Sequence, residues 1–209
     1  MHERYEYLVA RFPTDRVGAL RRFLVEHGAD GARDAGVTLW GAWLGGGSIG
    51  WHDDEVILML GRPADDDDFD GGAWLAGATD GLFDVAAEAL VATVRPADAA
   101  PLAAGGVQAH RWFELHDAAD FDELLTLSAE AWPAFEAAYD ARIEGFFRAT
   151  TDPRRVLLVT RYASVAEWER SRQVARAEDG ELADARRRFV RRRELTRRQV
   201  VRVAPNLRQ

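Results

Sequence analysis

The pattern of apolar and polar positions predicts a strand followed by a helix in the first thirty or so positions of the chain. Residues 5–11 alternate between two sets of side chains, as in a strand whose two faces have different surroundings. Thr14 and Asp15 are typical N-cap residues, and apolar residues recur at helical spacing behind them up to His27 and Gly28. The pattern then predicts strands over residues 37–44 and 55–60, a helix over 81–90 and a strand over 91–95.

The same order of elements begins a second time at Arg111. We predict strands over residues 110–115, 142–148, 155–161 and 198–203, and helices over 120–139, from Ser164 onward, and over 181–196. Pro133 lies inside the long helix, and proline removes one helical hydrogen bond and crowds the preceding turn. We therefore expect a kink or break near Ala131.

Matching segments support two copies of one β-α-β-β-α-β unit. Residues 4–8 match residues 111–115, and Gly41-Ala42-Trp43 matches Gly145-Phe146-Phe147. This order predicts an α+β protein with two tandem ferredoxin-like domains, over residues 1–100 and 107–209. Residues 96–106 are rich in Ala, Gly and Pro and are the predicted linker.

Both faces of each predicted sheet carry apolar residues, so each sheet needs cover on the side away from its helices. The simplest arrangement places the two open faces against each other. We therefore predict an intrachain pseudo-dimeric α/β barrel.

Composition excludes several classes of chemistry. The 209 residues include no cysteine, so neither a disulfide nor a cysteine nucleophile can form. No run approaches the length of a membrane span, and a soluble cytoplasmic protein is expected. The net charge is −8, and residues 1–149 hold 11 arginines against 27 acidic residues, which argues against a general nucleic-acid binder. Two arginine runs, 186–188 and 191–193, fall on one helix and favour a solvated or interdomain face over nucleic-acid binding.

Two short motifs imitate known sites without the surroundings that those sites need. Residues 46–50 match G-x-S-x-G, but a strand and not a helix is predicted after Ser48, so we expect a mobile glycine-rich loop. Asp66, Asp68 and Asp70 resemble the start of a calcium loop, but the twelfth position is Gly77 where glutamate is needed. We predict no metal site.

The second predicted domain holds the candidate catalytic residues. His110, Glu114 and His116 share one strand face, and each is a candidate general base. Arg142, Glu144, Phe146 and Arg148 share a face of the next strand, where the arginines would hold an acidic or enolic ligand. The alternative for these charges is cross-strand pairing at a domain interface.

Aromatic residues of the second copy predict an apolar pocket between helix and sheet. The predicted ligand-binding residues are Trp112, Trp132, Phe135, Tyr139, Glu144 and Phe147, with Trp168 beside them. Aromatic residues at helical spacing are more often core than pocket, so a filled core is the alternative.

Four segments of the second copy resemble a bacterial NIPSNAP-type protein. They are residues 128–135 (SAEAWPAF), 145–148 (GFFR), 160–170 (TRYASVAEWER) and 191–198 (RRRELTRR). The resemblance implies the dimeric α/β barrel superfamily, which includes cofactor-free oxygenases, haem-binding enzymes, isomerases and proteins without known activity. It brings no catalytic motif that could be carried over to residues of this chain.

The sequence therefore predicts a small-molecule-binding barrel protein. It would be a cofactor-independent oxygenase or isomerase acting on an apolar aromatic or polyketide-like ligand, with His110, Glu114 or His116 as base and Arg142 or Arg148 stabilising an anion. No cofactor is expected, although a histidine ligating haem stays open. The alternative is a non-catalytic oligomeric interaction or stress-response protein, and a homo-oligomer is expected in either case. A cavity with His110 or Glu114 in its wall would favour the first, and a filled core the second.

Overall fold

The structure is a computed structural model that describes residues 2–13, 15–63, 69–79, 84–96, 100–103, 105–173 and 180–207. Its eight strands are β1 (His2–Arg11), β2 (Thr38–Leu44), β3 (Glu55–Pro63), β4 (Asp84–Arg95), β5 (Val107–Leu115), β6 (Ala141–Ala149), β7 (Arg155–Tyr162) and β8 (Thr196–Pro205). The helices of the described residues are α1 (Val17–Glu26), α2 (Gly28–Asp34), α3 (Gly71–Thr79), α4 (Phe121–Tyr139), α5 (Val165–Arg172) and α6 (Glu181–Glu194).

All eight strands form one antiparallel sheet in the order β2-β3-β1-β4-β6-β7-β5-β8. The first four strands come from the first copy of the repeat and the last four from the second, and β4 pairs with β6 where they meet. At the two ends of this order, Trp43 pairs with Asn206 and Ile49 pairs with Val203. The sheet thus curls into a barrel, which confirms the predicted fold of two ferredoxin-like units forming an intrachain pseudo-dimeric barrel.

Alternation along each strand separates the barrel interior from the helix-covered face. On β1, Tyr5 and Tyr7 point into the barrel, while Leu8 and Ala10 pack toward the helices. The interior is filled mainly by large side chains from both halves: Tyr5, Tyr7, Trp40, Trp43, Trp51, Ile57, Met59, Leu90, Leu102, Phe147, Leu157 and Val159. The barrel is therefore held together by a shared apolar core between the two copies.

Strand pairing defines which positions of the two copies are equivalent. Tyr7 lies opposite Met59 in the first half, and His110 lies opposite Val159 in the second. Gly41 is also opposite Met59, and Gly145 is opposite Val159. The match of Gly41 with Gly145 therefore holds in the structure.

The predicted match of the first strands is wrong in register. Because Tyr7 is equivalent to His110, the next residues, Leu8 and Arg111, are equivalent too. The sequence had instead matched Arg4 with Arg111. The error arose because the two strands share a pattern of alternation but hardly any residues, so letters alone could not fix the register.

The helix predicted over residues 81–90 is also wrong. Residues 84–95 form strand β4, and the helix of this part of the chain is α3, ten residues earlier. The alanines around Glu88 have a high intrinsic propensity for helix. Pairing of this segment with β1 on one side and β6 on the other overrides that propensity. The glycine-rich α3 begins where Asp70 accepts a hydrogen bond from the Ala73 backbone N–H at 2.9 Å.

Three further expectations about helices changed. The N-cap residue of α1 is Arg16, whereas Thr14 and Asp15 were predicted. Asp15 lies one residue before the N-cap, and Thr14 lies outside the described residues. The short α2 follows directly and was not predicted. Helix α4 runs through Pro133 as one element, so the expected break near Ala131 does not occur.

The loop after β2 and the segment after β4 both pack against the barrel. Ile49 exchanges two backbone hydrogen bonds with Val203, and Trp51 is buried in the interior, so the loop expected to be mobile is anchored. The Leu102 backbone N–H donates to the Trp40 carbonyl at 2.9 Å, and the Leu102 side chain enters the same core. The predicted linker thus contributes to the core, while the domain boundary itself stays a prediction.

The two equivalent glycines each lie beside a β-bulge, a point where one strand carries an extra residue. The register shifts between Leu39 and Gly41 on β2 and between Ile143 and Gly145 on β6. A Cβ at Gly41 would lie 2.2 Å from the Trp43 ring, and one at Gly145 would lie 2.1 Å from the Phe147 ring. Only glycine leaves room for these aromatic rings to fold back over the backbone.

Replacing Gly145 with alanine is expected to lower the free energy of unfolding by roughly 1–3 kcal/mol, because the Phe147 ring would have to leave its buried position. Denaturant unfolding followed by tryptophan fluorescence measures the change. Gly77→Ala is the matched control, since a Cβ at Gly77 on α3 meets nothing within 4 Å. This control is expected to be as stable as the parent, or up to about 1 kcal/mol more stable. Equal stability of Gly145→Ala and the parent would contradict this packing.

Candidate functional site

A cleft of about 720 Å³ opens at one mouth of the barrel. Its walls come from β2, from the ends of β4, β6 and β7, from the C-terminal end of α4 and from the segment after β4. The lining residues are Trp40, Arg95, Pro96, Ala100, Pro101, Leu102, Ala103, Glu136, Asp140, Ala141, Arg142, Ile143, Glu144 and Arg161. The volume is in the range of small-molecule sites.

The bulge on β6 places Glu144 in this cleft. Glu144 is the extra residue between Ile143 and Gly145, and its equivalent in the first half is Trp40, the extra residue between Leu39 and Gly41. Both side chains line the cleft. The same backbone irregularity therefore presents an aromatic ring from one half and a carboxyl group from the other.

Glu144 is nearly buried, with 8% of its surface exposed. Its Oε1 lies 3.7 Å from the Arg161 Nε, while its Oε2 meets no donor at full hydrogen-bonding geometry among the described residues. The Gln108 side chain is near enough to favour the charged form of the carboxyl group. Arg142 is directly opposite Arg161 in the β6–β7 pairing, so both arginines flank the carboxyl group. A buried carboxyl with one unused oxygen between two cations is well placed to meet a ligand.

The environment of Glu144 makes it an unusually weak acid. Burial raises its pKa from 4.5 to about 7, and the positive charges of Arg161 and Arg142 oppose that rise only in part. At neutral pH the group is therefore divided between its neutral and charged forms. A base with this pKa suits proton transfer near pH 7.

A second network fixes the wall of the cleft. The Arg95 Nη1 donates to Glu136 Oε1 at 2.6 Å and to the Ile143 carbonyl at 2.9 Å. Glu136 Oε1 also accepts from the Ile143 backbone N–H at 2.6 Å. These bonds join β4, α4 and β6 beside the bulge, so they hold Glu144 in place from outside.

His110, predicted as a base, lies deep in the barrel away from solvent. Its ring centroid is 4.3 Å from that of Trp43 and 5.0 Å from that of Trp51, and its Nδ1 lies 2.9 Å from the Tyr7 hydroxyl. Burial, with a smaller effect of the Arg202 charge, lowers its pKa to about 3. His110 is therefore neutral at physiological pH and poorly suited to accept a proton.

Gln108 connects this interior to the cleft. Its Oε1 accepts a hydrogen bond from Trp43 Nε1 at 3.3 Å, and its side chain lies beside Glu144. Among the described residues, its buried Nε2 meets no acceptor at full hydrogen-bonding geometry, and the Glu144 carboxyl group is the acceptor near it. Two of the predicted ligand-binding residues, Trp112 and Phe147, also face the barrel interior, but neither lines the cleft.

The other predicted bases lie away from the cleft. Glu114 is paired with Arg197 on the adjacent strand, and this hydrogen bond lowers its pKa. His116 is exposed just beyond β5, where its backbone N–H donates to the Leu195 carbonyl. None of His110, Glu114 and His116 lines the cleft that holds Glu144.

The remaining predicted residues lie on the helix-covered face. Arg148 stacks over Phe121, with its Cζ 4.3 Å from the ring centroid, and donates to the Pro153 and Ala118 carbonyls. The bulge at Gly145 explains this position, because an extra residue shifts every later side chain of β6 to the opposite face. Trp132, Phe135 and Tyr139 are buried between α4 and the sheet as core residues.

The structure thus brings together Arg142 and Glu144 from the predicted set. Sequence reasoning missed Arg95, Glu136, Trp40 and Leu102 as cleft residues. Arg161 could be recognised from the sequence as a cleft residue, because pairing the strand of Arg142 with the next predicted strand brings Arg161 opposite Arg142. The contribution of Leu102 had no sequence signal, because it comes from the packing of the segment after β4.

Within the described ranges, no three His, Asp or Glu side chains converge as a metal ion would require. Nor is any helix among the described residues long and apolar enough to cross a membrane.

Comparisons with known proteins match the fold. No family model matches the chain, and no curated protein matches it. A crystal structure of a candidate monooxygenase from Lactobacillus acidophilus superposes with a TM-score of 0.65, covering 98% of this chain and 93% of that chain at 10% identity. An anthrone oxidase-like protein gives a TM-score of 0.56, covering 99% of this chain and 92% of that chain at 12% identity.

A NIPSNAP family protein from Agrobacterium tumefaciens is also similar, with 21% identity over 46% of this chain and 89% of that chain. Its TM-score of 0.36 is too low to carry an argument, so the NIPSNAP resemblance stays a prediction. Because identities below a quarter establish architecture and not activity, these matches concern the fold alone. The protein has the ferredoxin-like fold of the dimeric α/β barrels, with both halves of the barrel supplied by one chain.

Proposed function

We propose that the protein binds a small planar molecule with an acidic C–H or O–H group in the barrel-mouth cleft, and that Glu144 removes the acidic proton. Arg161 and Arg142 hold the negative charge that develops on a ligand oxygen. Trp40 and Leu102 supply the apolar part of the wall.

The observation that carries this proposal is the unused Oε2 of a buried carboxyl group between two arginines. The equivalent position in the first half holds Trp40, so the bulge itself does not require a carboxyl group. A buried ionisable side chain without full compensation is costly, and such groups are concentrated at functional sites.

The chemical step needs few protein groups. A C–H bond of the ligand breaks, its proton moves to Glu144 Oε2, and the electron pair delocalises onto a ligand oxygen held by the arginines. Return of the proton to another carbon gives an isomerase. Reaction of the carbanion with dioxygen converts a CH2 group to a ketone with release of water, which gives an oxygenase without a cofactor.

The ligand class follows from the cleft. Its wall combines an aromatic ring, prolines, alanines and other apolar residues with six charged side chains, so a ligand there needs both an apolar surface and polar groups. The fold is shared with a candidate monooxygenase and an anthrone oxidase-like protein. A flat aromatic ketone with an acidic methylene group is therefore the substrate class that we propose.

Haem binding is less compatible with the residues of the barrel. The His110 ring is enclosed by Trp43, Trp51 and Tyr7, and its Nδ1 is used by the Tyr7 hydroxyl. A tetrapyrrole beside this ring would have to displace the aromatic core. We derive no step through such a group.

A non-catalytic oligomeric protein is the second candidate, because the barrel interior is filled and not hollow. The homo-oligomer expected from the sequence belongs to this proposal. Native mass spectrometry of protein purified from its source separates the two, since a co-purified aromatic ligand supports the first and a ligand-free oligomer supports the second.

Substitution of Glu144 with glutamine is expected to change the pH dependence of stability. The folded-state pKa is about 7 against 4.5 for the free group, so the unfolded chain loses this proton first as pH rises. The parent should therefore lose stability between about pH 4.5 and 7, about 3 kcal/mol in all, and Glu144→Gln should not. Thermal unfolding of both proteins at pH 4.5, 6 and 8 measures this. A constant difference between them across that range would show that the Glu144 pKa is not raised.

Oxidation of anthrone in air-saturated buffer tests the reaction. The parent should consume dioxygen and form the quinone, with a rate that rises with pH through about 7 because the charged carboxylate is the base. Glu144→Gln should lower the rate about 100-fold and remove that pH dependence, and Arg161→Met should lower it about tenfold or more.

Arg155→Met is the matched control, because Arg155 lies on the same strand at its other end and pairs with Glu88 at 2.6 Å. It should leave the rate unchanged. Dioxygen consumption equal to that of buffer, or a loss with Arg155→Met as large as that with Arg161→Met, would rule out this assignment.

A further inference from the structure

A second unusual cluster lies on the helix-covered face of the second half, across the sheet from the barrel interior. Arg192 of α6 is buried there, with 3% of its surface exposed. Its Cζ lies 4.7 Å from the ring centroids of both Phe113 and Phe189. Its Nη1 donates to Ser128 Oγ at 3.2 Å, while its Nε is buried without a partner.

A second arginine lies on the same face of β5 as Phe113, whose ring Arg192 covers. Arg111 is two residues before Phe113 on this strand, and its positive charge adds to burial in lowering the pKa of Arg192. Burial lowers the pKa of Arg111 as well, and the nearby Arg193 charge adds to this effect. Two cations are thus held close together in a place where water screens them poorly.

Neither arginine forms an ion pair with a carboxylate in the part of the chain that the structure describes. Other arginines of the same helix do: Arg188 pairs with Glu130 at 2.8 Å and Arg191 with Glu123 at 3.0 Å. Among the described residues, the lack of a carboxylate partner therefore distinguishes the buried pair from Arg188 and Arg191 on α6.

Two side chains on this face of the second half can donate hydrogen bonds. The Tyr162 hydroxyl, which is hydrogen-bonded to Ser171, is close enough for the charges of Arg111 and Arg192 to act on its pKa. Trp168 packs in the same cluster as Tyr162, and its buried Nε1 has no partner among the described residues. Cation–π contacts with Phe113 and Phe189 offset part of the cost of burying Arg192, but they leave the repulsion between the arginines in place.

The duplicated fold provides an internal comparison for this position. Leu8 is the equivalent of Arg111 in the first half, and it is fully buried in an apolar core. A leucine therefore satisfies the fold at this position. An arginine there needs a reason beyond packing, because none of the described residues sets a carboxylate against it.

We propose that Arg111 and Arg192 bind a phosphate group between α6 and the outer face of β5, with Tyr162 and Trp168 as further donors. A phosphate carries up to two negative charges at neutral pH and presents mainly acceptor oxygens, which matches two arginines and the donors of Tyr162 and Trp168. A carboxylate would neutralise only one of the two cations. The group comes either from inorganic phosphate or from a small phosphate ester.

Isothermal titration of the full-length protein with inorganic phosphate, at constant ionic strength maintained with chloride, tests this site. Phosphate should bind and raise the melting temperature, whereas chloride alone should not. Arg111→Met should weaken phosphate binding about tenfold or more, and so should Arg192→Met. Without phosphate, Arg111→Met should be at least as stable as the parent, because it removes a like-charge repulsion.

Arg188→Met is the matched control on α6, since Arg188 is exposed to solvent and paired with Glu130. It should bind phosphate as the parent does. Phenyl phosphate, titrated in parallel, separates the two sources: tighter binding of the ester indicates a phosphate ester, and tighter binding of the free ion indicates inorganic phosphate.

Two results would overturn the proposal. The first is no stabilisation by phosphate beyond that by chloride. The second is equal phosphate affinity of the parent and Arg111→Met. If Arg192→Met does not fold, Arg111→Met still decides the question, because Arg111 is only half-buried and its equivalent in the first half is a leucine. Activity in the barrel-mouth cleft plays no part in these measurements, so this site and that function fail separately.

Discussion

The structure depends on the pairing of β4 with β6, the one place where the sheets of the two copies join through several consecutive residues. With this pairing, β4 has a neighbour on both sides, and the contacts of Trp43 with Asn206 and Ile49 with Val203 join the outer strands. Closure removes exposed sheet edges and creates an interior that must be filled. Because both halves belong to one chain, this closure needs no second copy of the protein.

The filled interior explains why the candidate site lies at the barrel mouth. Tyr5, Trp40 and Phe147 contact one another edge to face, and His110 is enclosed by further aromatic rings. A polar group in such a core is held in its neutral form, as His110 is. Near the mouth, at the β6 bulge, the Glu144 carboxyl group combines burial with access to a cleft.

The sequence pattern predicted the architecture well. Strands were visible from alternating side chains, and the matched segments that begin at Gly41 and Gly145 revealed the repeat. The pattern failed where tertiary contacts override local preferences. Residues 84–95 form a strand because β1 and β6 both pair with them. Arg148 and Glu144 lie on different faces of β6 because one extra residue reverses the alternation of side chains. His110 faces the barrel interior, and its burial depends on rings from the first half, which no local pattern shows.

The duplication separates what the fold needs from what it permits. At the bulge, Trp40 and Glu144 are equivalent, and on the first strands Leu8 and Arg111 are equivalent. In each pair the first half uses an apolar residue in the core and the second half uses an ionisable one without full compensation. Since both halves fold with the same strand order, packing alone accounts for the apolar member of each pair. The ionisable members, Glu144 and Arg111, lie on opposite faces of the second half of the sheet. Ligand binding gives a physical reason for an ionisable residue at each of these positions.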